Sequence, residues 1–303
     1  MARLWVLLWT LLALSCQKAS PAPQGPATLL DDVGHTVRIP ARVNRIVSLS
    51  PAATELLCAV GCCDRIVARD QWSDFPTQVR GLPSLPGFAP SAEAVLLHKP
   101  DLVLVHFPPP NLQAALDAAG IAWFGLAASD LKQVAQAHRV VGRLCGELER
   151  GKQAAIAFVD AVAEVRKAFP KSAKPLRVFY ELDAGDGQRP FTVGRRAFGH
   201  ALIEAAGGQN VFGDRDEAWF AVGVEPLLAA DPDVIVLGDA DVAVRPQSLQ
   251  TLRARKGFAA LRAVQTSCVA TVPNTLVSRP GPRLVDGLRA MAKAVRVCAE
   301  RKP

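Results

Sequence analysis

The sequence predicts an α/β protein of two lobes, each a mostly parallel central sheet with flanking helices, joined by one long α-helix with a ligand cleft between the lobes. Three observations predict it. One phrase is written twice, as EAVLLHKPDLVLV (Glu93–Val105) and EPLLAADPDVIVL (Glu225–Leu237), with a glutamate seven positions ahead of Pro-Asp both times. Each copy reads as a helix, a Pro-Asp turn and a continuous apolar strand, which is one crossover unit of a parallel sheet buried on both faces. Each copy also follows a β-rich opening, RIVSLSP (45–51) in the first half and LRVFYELD (176–183) in the second. Between the halves lies one segment of helical period.

Taken in order, residues 1–15 read as a signal peptide. MARLWVLLWTLLALSC has a basic start at Arg3 and an uncharged run from Leu4 to Ser15, too short to span a bilayer as a helix. Ala13, Leu14, Ser15 and Cys16 resemble a bacterial lipobox, although leucine is usual where Ala13 stands. The resemblance implies lipidation of Cys16, with an ordinary secretory leader cut near Ala19 or Ala22 as the alternative. The Pro-rich stretch at 16–28 then reads as a tether holding the body off the membrane.

The N-terminal lobe is assigned to 29–145. RIVSLSP is a strand stopped by Pro51, AATELLCAVG a helix closed by Gly61, and RIVAR a second strand. A Pro- and Gly-rich loop from Asp70 to Pro90 leads to the first copy of the phrase, whose helix Ser91 is placed to cap. Residues 146–170 form the connecting helix, with Ala155, Phe158, Val162 and Val165 at helical spacing. The C-terminal lobe, 171–303, repeats the plan, with FGHALIEAAGGQNVF as a helix stopped at Gly207-Gly208. A stiff helical crossing is a poor hinge, so little closure is expected.

The chain has 303 residues, half of them hydrophobic, enough to bury a large core. Its net charge of +7 is dispersed without a Lys/Arg-rich run, which argues against nucleic acid as a partner. Beyond Cys16 six cysteines remain, an even number suited to disulfides in an oxidising compartment. Their pairing is open; Cys268 with Cys298 is the preferred pair. The vicinal Cys62-Cys63 could be a redox or metal site, but no second Cys or His pair follows at zinc spacing. No G-x-S-x-G elbow and no H-E-x-x-H motif appears, against an exported hydrolase, and no catalytic residue, metal centre or resident cofactor is expected.

The ordered set RIVSLSPAATELLCAVG, SDFP (73–76), SAEAVLLHKPDLVLV, FTVGRRAFGHALIEAAGGQNVF, VEPLLAADPDVIVL and SRPGPRLVDGL (278–288) resembles the helical-backbone (class III) periplasmic binding proteins of ABC importers. Within that family the likeness is closest to the vitamin B12 (cobalamin) branch, and it extends to the iron-siderophore and haem branches. The resemblance implies an exported, lipid-anchored monomer that captures a corrinoid between its lobes and delivers it to a membrane permease. An iron siderophore or haem is the alternative cargo. Glu93 and Glu225 match the family's paired acidic residues, one per lobe, which engage arginines of the permease subunits. The bland reading of each is a first-turn acid favourable to the helix dipole.

With two parallel sheets facing each other, ligand contacts are expected from loops beyond the strands' carboxyl ends. The first lobe offers Ser50, Pro51, Trp72, Phe88, His106 and Phe107. The second offers Tyr180, Glu181, Asp183, Phe191, Arg195, Arg196, Trp219, Phe220, Asn274, Arg279 and Pro280. Aromatics are only 6% of the sequence yet gather in these loops, as suits the faces and edges of a flat macrocycle. His106 could ligate iron or cobalt, and Tyr180, the only tyrosine, could bind haem iron through its phenolate. Arg195, Arg196 and Arg279 could instead receive an anionic siderophore.

Overall fold

A computed structural model describes residues 28–87, 90–241 and 246–301. The signal peptide, nearly all of the tether, Cys16 and Phe88 lie outside the described residues. The described chain opens with an antiparallel hairpin, β1 (Thr28–Leu30) and β2 (Thr36–Arg38). Next come β3 (Ile46–Leu49), α1 (Pro51–Ala59), β4 (Ile66–Asp70), β5 (Ser84–Leu85), α2 (Ala92–Leu96), β6 (Leu102–Val105), α3 (Pro110–Ala118) and β7 (Ala122–Gly125). These five strands form one parallel sheet in the order β5-β4-β3-β6-β7. Pro51 ends β3 by starting α1, at the first helical position, where its missing N–H has no intrahelical acceptor to lose.

Helices α4 (Leu131–Leu144) and α5 (Leu148–Ala168) follow. The second half contains β8 (Arg177–Glu181), β9 (Phe191–Val193), α6 (Phe198–Ala205), β10 (Gln209–Asn210), β11 (Trp219–Ala221), α7 (Val224–Ala230) and β12 (Val234–Leu237). It ends with α8 (Leu249–Ala254), α9 (Arg262–Gln265), β13 (Val269–Thr271), α10 (Asn274–Val277) and α11 (Leu284–Arg301). A parallel sheet in the order β10-β8-β12-β13 makes its centre. The segment around Trp219, read as a loop from sequence, is instead strand β11, paired antiparallel with β9; its two adjacent aromatic residues suit a strand better than a loop. No helix among the described residues is long and apolar enough to cross a membrane.

The doubled phrase has a structural cause. Ile46 pairs with Leu102 in the first sheet and Val178 with Val234 in the second, the same interval apart as Glu93 and Glu225. Ahead of each proline the chain takes a positive φ on a non-glycine residue, 47° at Lys99 and 35° at Asp231. The aspartate after it is then tied to the start of the neighbouring strand. The Asp101 carboxylate accepts from the amides of Asn44 and Arg45 at 2.8 and 2.9 Å, and that of Asp233 from Arg177 at 2.9 Å. Their own amides donate to the carbonyls of Arg45 and Arg177, both at 2.8 Å. Pro-Asp thus fixes the register of the central strand pair in each lobe.

The crossing differs from a lone helix. With 21 residues, α5 is about 31 Å long, but α4 lies against it at glycines: a Cβ on Gly142 would sit 2.6 Å from the Gly151 Cα. Leu131, Val134 and Ala135 of α4 belong to the core beneath the second sheet, with Phe158 and Val162 of α5. Ala137, Val141 and Leu144 of the same helix belong to the core beneath the first. A two-helix strut therefore enters both cores, because its glycines remove the side chains that would hold the pair apart.

The cysteines fall differently from the vicinal reading. Cys58 and Cys63 form a disulfide with Cα atoms 4.2 Å apart, since Gly61 at φ 83° turns the chain back at the end of α1. Cys62 points away from its neighbour, and Cys268 and Cys298, the preferred pair, carry free thiols.

Buried charge concentrates at the carboxyl ends of β8 and β12. Glu181 and Arg255 pair bidentately at 2.6 and 2.7 Å in a buried site. Beside them Asp239 is 3% exposed, and its Oδ1 has no hydrogen-bond partner among the described residues. Burial, reinforced by the Glu181 charge, pushes its carboxyl up to about 7.

Two outcomes are expected. Occupation of the cleft leaves the radius of gyration in solution scattering unchanged, whereas a clear fall would mean that the strut bends. Asp239 is the second case: the folded state holds its proton more tightly than the unfolded one. Its stabilising contribution is therefore complete below about pH 4 and lost as pH rises through about 7. Asp239→Asn should match the parent near pH 4 and exceed it by about 1–3 kcal/mol at pH 8, as read by urea denaturation at the two pH values.

Candidate functional site

Carboxyl ends of the first sheet face the segment between β13 and α11 across an open cavity of about 480 Å³. Ser50 and Pro51 after β3, Trp72 after β4, and His106 and Phe107 after β6 contribute from one lobe. Asn274, Ser278, Arg279 and Pro280 contribute from the other. Eight of the expected contact residues, Ser50, Pro51, Trp72, His106, Phe107, Asn274, Arg279 and Pro280, are thereby brought together. Phe107 is 56% exposed and Trp72 39% exposed, large apolar surfaces turned outward at one opening.

The Trp72 loop is held from both sides. Behind it, the Asp70 carboxylate accepts from the Ser73 amide at 2.9 Å, and Thr54 Oγ1 lies 2.8 Å from Ser48 Oγ and 2.9 Å from Ser73 Oγ. Burial raises the Asp70 carboxyl above its ordinary value despite the Ser73 bonds. The indole lies so close to Gly87 that a Cβ there would meet Trp72 Cζ3 at 1.8 Å. From the opposite lobe, Arg279 Nη2 donates to the Trp72 carbonyl at 3.0 Å.

That last contact belongs to an ionic bridge between the lobes. Arg279 Nη1 reaches Asp74 Oδ1 at 2.7 Å and Glu55 Oε1 at 3.4 Å. Arg283 donates to both oxygens of Glu55, at 3.0 and 2.6 Å, and lies over the Phe75 ring at 4.1 Å. Burial works against ionisation of Asp74, yet its bond to Arg279 and the nearby charges carry the carboxyl below its ordinary value. The hydrogen bonds that Arg283 donates to Glu55 likewise raise its guanidinium above the ordinary value. Sequence reasoning missed Glu55 and Arg283. One signal was present: Glu55 is the sole charge in an otherwise apolar helix, a position that demands a buried partner.

His106 is half-buried, its Nδ1 2.8 Å from the Leu126 carbonyl and its ring edge-on to Phe107 at 4.3 Å between centroids. With the proton on Nδ1, that contact leaves the Nε2 lone pair available, the arrangement that orients ligating histidines.

Other expected residues stand elsewhere. Tyr180 is a core residue, 1% exposed, its hydroxyl donating to the Val277 carbonyl at 3.3 Å; burial drives its pKa well above the usual value. Its side chain shares the face of β8 with Val178, which α6 and α11 cover. Glu181 is committed to Arg255, and Asp183 caps its own turn at the Gly185 amide, 2.7 Å away. Trp219 and Phe191 are about equally exposed, at 45% and 43%, on the β9–β11 ribbon and not on the described lining of the cavity. Phe220 packs edge-on against Phe212 with the Arg215 guanidinium over its ring. Arg195 and Arg196 both pair with Asp216.

Glu93 and Glu225 both lie in the first turns of their helices and are exposed. Neither side chain makes a hydrogen bond or ion pair with a described residue, and the cap of α2 is Ser91, which accepts from the Ala94 amide at 3.1 Å.

Comparison with known proteins agrees with this architecture. A cobalamin-binding protein of Halobacterium salinarum is 30% identical over 286 residues, covering 89% of this chain and 74% of the relative. The crystal structure of the periplasmic vitamin B12 binding protein BtuF of Vibrio cholerae superposes with a TM-score of 0.74 at 26% identity, covering 85% of this chain and 98% of the other. The periplasmic haem-binding protein RhuT of Roseiflexus sp. RS-1 does so with a TM-score of 0.75 at 26% identity, covering 84% and 99%. Residues 46–276, from the first strand of the first sheet to the edge of the cavity, match the family described as periplasmic binding protein, and the chain belongs to that family.

Proposed function

We propose that this protein is the exported substrate-binding component of an ABC importer, capturing a corrinoid between its lobes and passing it to a membrane permease. The observation that carries the corrinoid reading is the character of the cavity. Trp72 and Phe107 present apolar surface at its mouth, while Arg279, its arginine, is already neutralised by Asp74 and Glu55. A flat, largely uncharged macrocycle gains from aromatic walls and needs no free cation. An anionic siderophore would need one, and Arg195 and Arg196 are also engaged, by Asp216. The cobalamin-binding relative supports the same cargo.

Haem is the second reading, favoured by one observation: the His106 ring is oriented through Nδ1 as a metal-ligating imidazole is. Titration with cobalamin and with haem, followed by absorbance, separates the two. Anchoring through a lipid on Cys16, action as a monomer and docking through Glu93 and Glu225 complete the proposal. The docking reading draws support from two exposed carboxylates without described partners, at matched places in both lobes, which two-site engagement of a permease would use.

Replacing Trp72 by alanine should weaken corrinoid binding by about 1 to 3 kcal/mol, the usual range for one large aromatic anchor. Calorimetry on Trp72→Ala and Trp219→Ala compares a lining residue with one off the described lining, and unchanged affinity in the former would misplace the pocket. Glu93→Ala with Glu225→Ala should leave ligand affinity intact and cost only about 0.3 to 1 kcal/mol of stability per site. Loss of a buried arginine partner at an interface costs about 2 to 5 kcal/mol. Stimulation of permease ATPase in reconstituted vesicles should therefore collapse in the double variant, and normal stimulation would leave the two glutamates as helix-end charges only.

A further inference from the structure

The cysteines among the described residues fall into pairs. Besides the Cys58–Cys63 disulfide, Cys62 and Cys145 are neighbours in the core under the first sheet, and Cys268 and Cys298 are neighbours in the core under the second, where Arg301 of the same helix turn as Cys298 donates to the Ser267 carbonyl at 3.3 Å. All four are buried, at 0%, 5%, 4% and 4% exposure. Cys62 follows α1 and Cys145 follows α4 within the core under the first sheet; Cys268 precedes the edge strand β13 and Cys298 lies on α11 within the core under the second. Packing alone does not require that a buried cysteine have another cysteine as its neighbour, since a small apolar residue fills such a place equally well. Two such coincidences in one chain, one per lobe, point to a covalent use.

We propose that the mature protein carries three disulfides, the two beyond Cys58–Cys63 being Cys62–Cys145 and Cys268–Cys298. The first would staple α1 to the end of α4, where the strut leaves the N-terminal core. The second would staple the C-terminal helix to the edge strand beside the cavity.

The chemistry is thiol–disulfide exchange with a disulfide-donating oxidoreductase, before the cores close over the thiols. The Cys62 thiolate attacks one donor sulfur and the donor S–S bond breaks, its other sulfur leaving as thiolate. The Cys145 thiolate then attacks Cys62 Sγ, the mixed disulfide breaks, and the donor departs as a dithiol holding the two protons. Two cysteines are oxidised and one donor disulfide is reduced. In the folded chain Arg65 donates to the Cys145 carbonyl at 2.5 Å and pairs with Glu147 at 3.0 Å, which holds the end of α4 against the segment that carries Cys62.

The test is peptide mapping of the full chain, produced by export, alkylated without reductant and cut with trypsin. The expected result is peptide 46–65 joined to 144–150 and peptide 263–283 joined to 297–301, with fragmentation placing the first link on Cys62. Quantitative alkylation of Cys62 and Cys145, or of Cys268 and Cys298, overturns that pair, as does a link between different cysteines. Reduction should lower the melting temperature by roughly 5–15 °C. The double variant Cys268→Ser with Cys298→Ser, if it folds by circular dichroism, should lose part of that reductant-dependent shift; an undiminished shift would count against the second bond. No ligand enters these measurements, so their failure is distinct from failure of the corrinoid reading.

Discussion

Gly142 and Gly151 bring α4 and α5 into backbone contact, and the placing of the two sheets follows from that closeness. Any side chain at the crossing would wedge the helices apart and withdraw α4 from one of the two cores it enters. With the pair locked, the carboxyl ends of the first sheet and the segment after β13 stand at a set distance. The cavity between them is a consequence of the fold's frame, present before anything fills it. Preformed cavities of this kind avoid the ordering cost that a flexible site incurs on binding.

Charge reinforces the same geometry. The bridge of Glu55, Asp74, Arg279 and Arg283 closes one end of the cavity and fastens the Trp72 carbonyl to the opposite lobe. Breaking it would strand a carboxylate that is only 3% exposed, so the pairing resists separation even where its net contribution to stability is small. The same pairing removes free positive charge from the cavity, leaving apolar and aromatic surface as its dominant feature.

Local pattern made the strands and helices of both lobes legible: β3 and β8 from their β-branched and aromatic residues, α2 from its serine cap, α6 from its Gly207-Gly208 stop. The doubled Pro-Asp was visible as repetition, but its reason, a carboxylate holding the next strand's amides, depends on partners more than fifty positions away. Site residues divided by the same rule. Loops just past strand ends, as at Trp72 and Phe107, reached the cavity. Tyr180 did not, because a residue still inside a strand covered on both faces points into a layer of helices. Pairing of Arg279 and Arg283 with Glu55 was illegible, since nothing local marks a partner over two hundred residues distant.

Each lobe carries the phrase that the other carries. Their present contacts nevertheless bind them to a common fate. Severed from the second half, the first would keep Glu55 in an apolar helix with neither guanidinium, and half of α4 would face water with its apolar side bare. Severed from the first, the second would lose the helix that roofs part of its core. The two halves are thus mutually dependent: each buries surface and charge that only the other can cover.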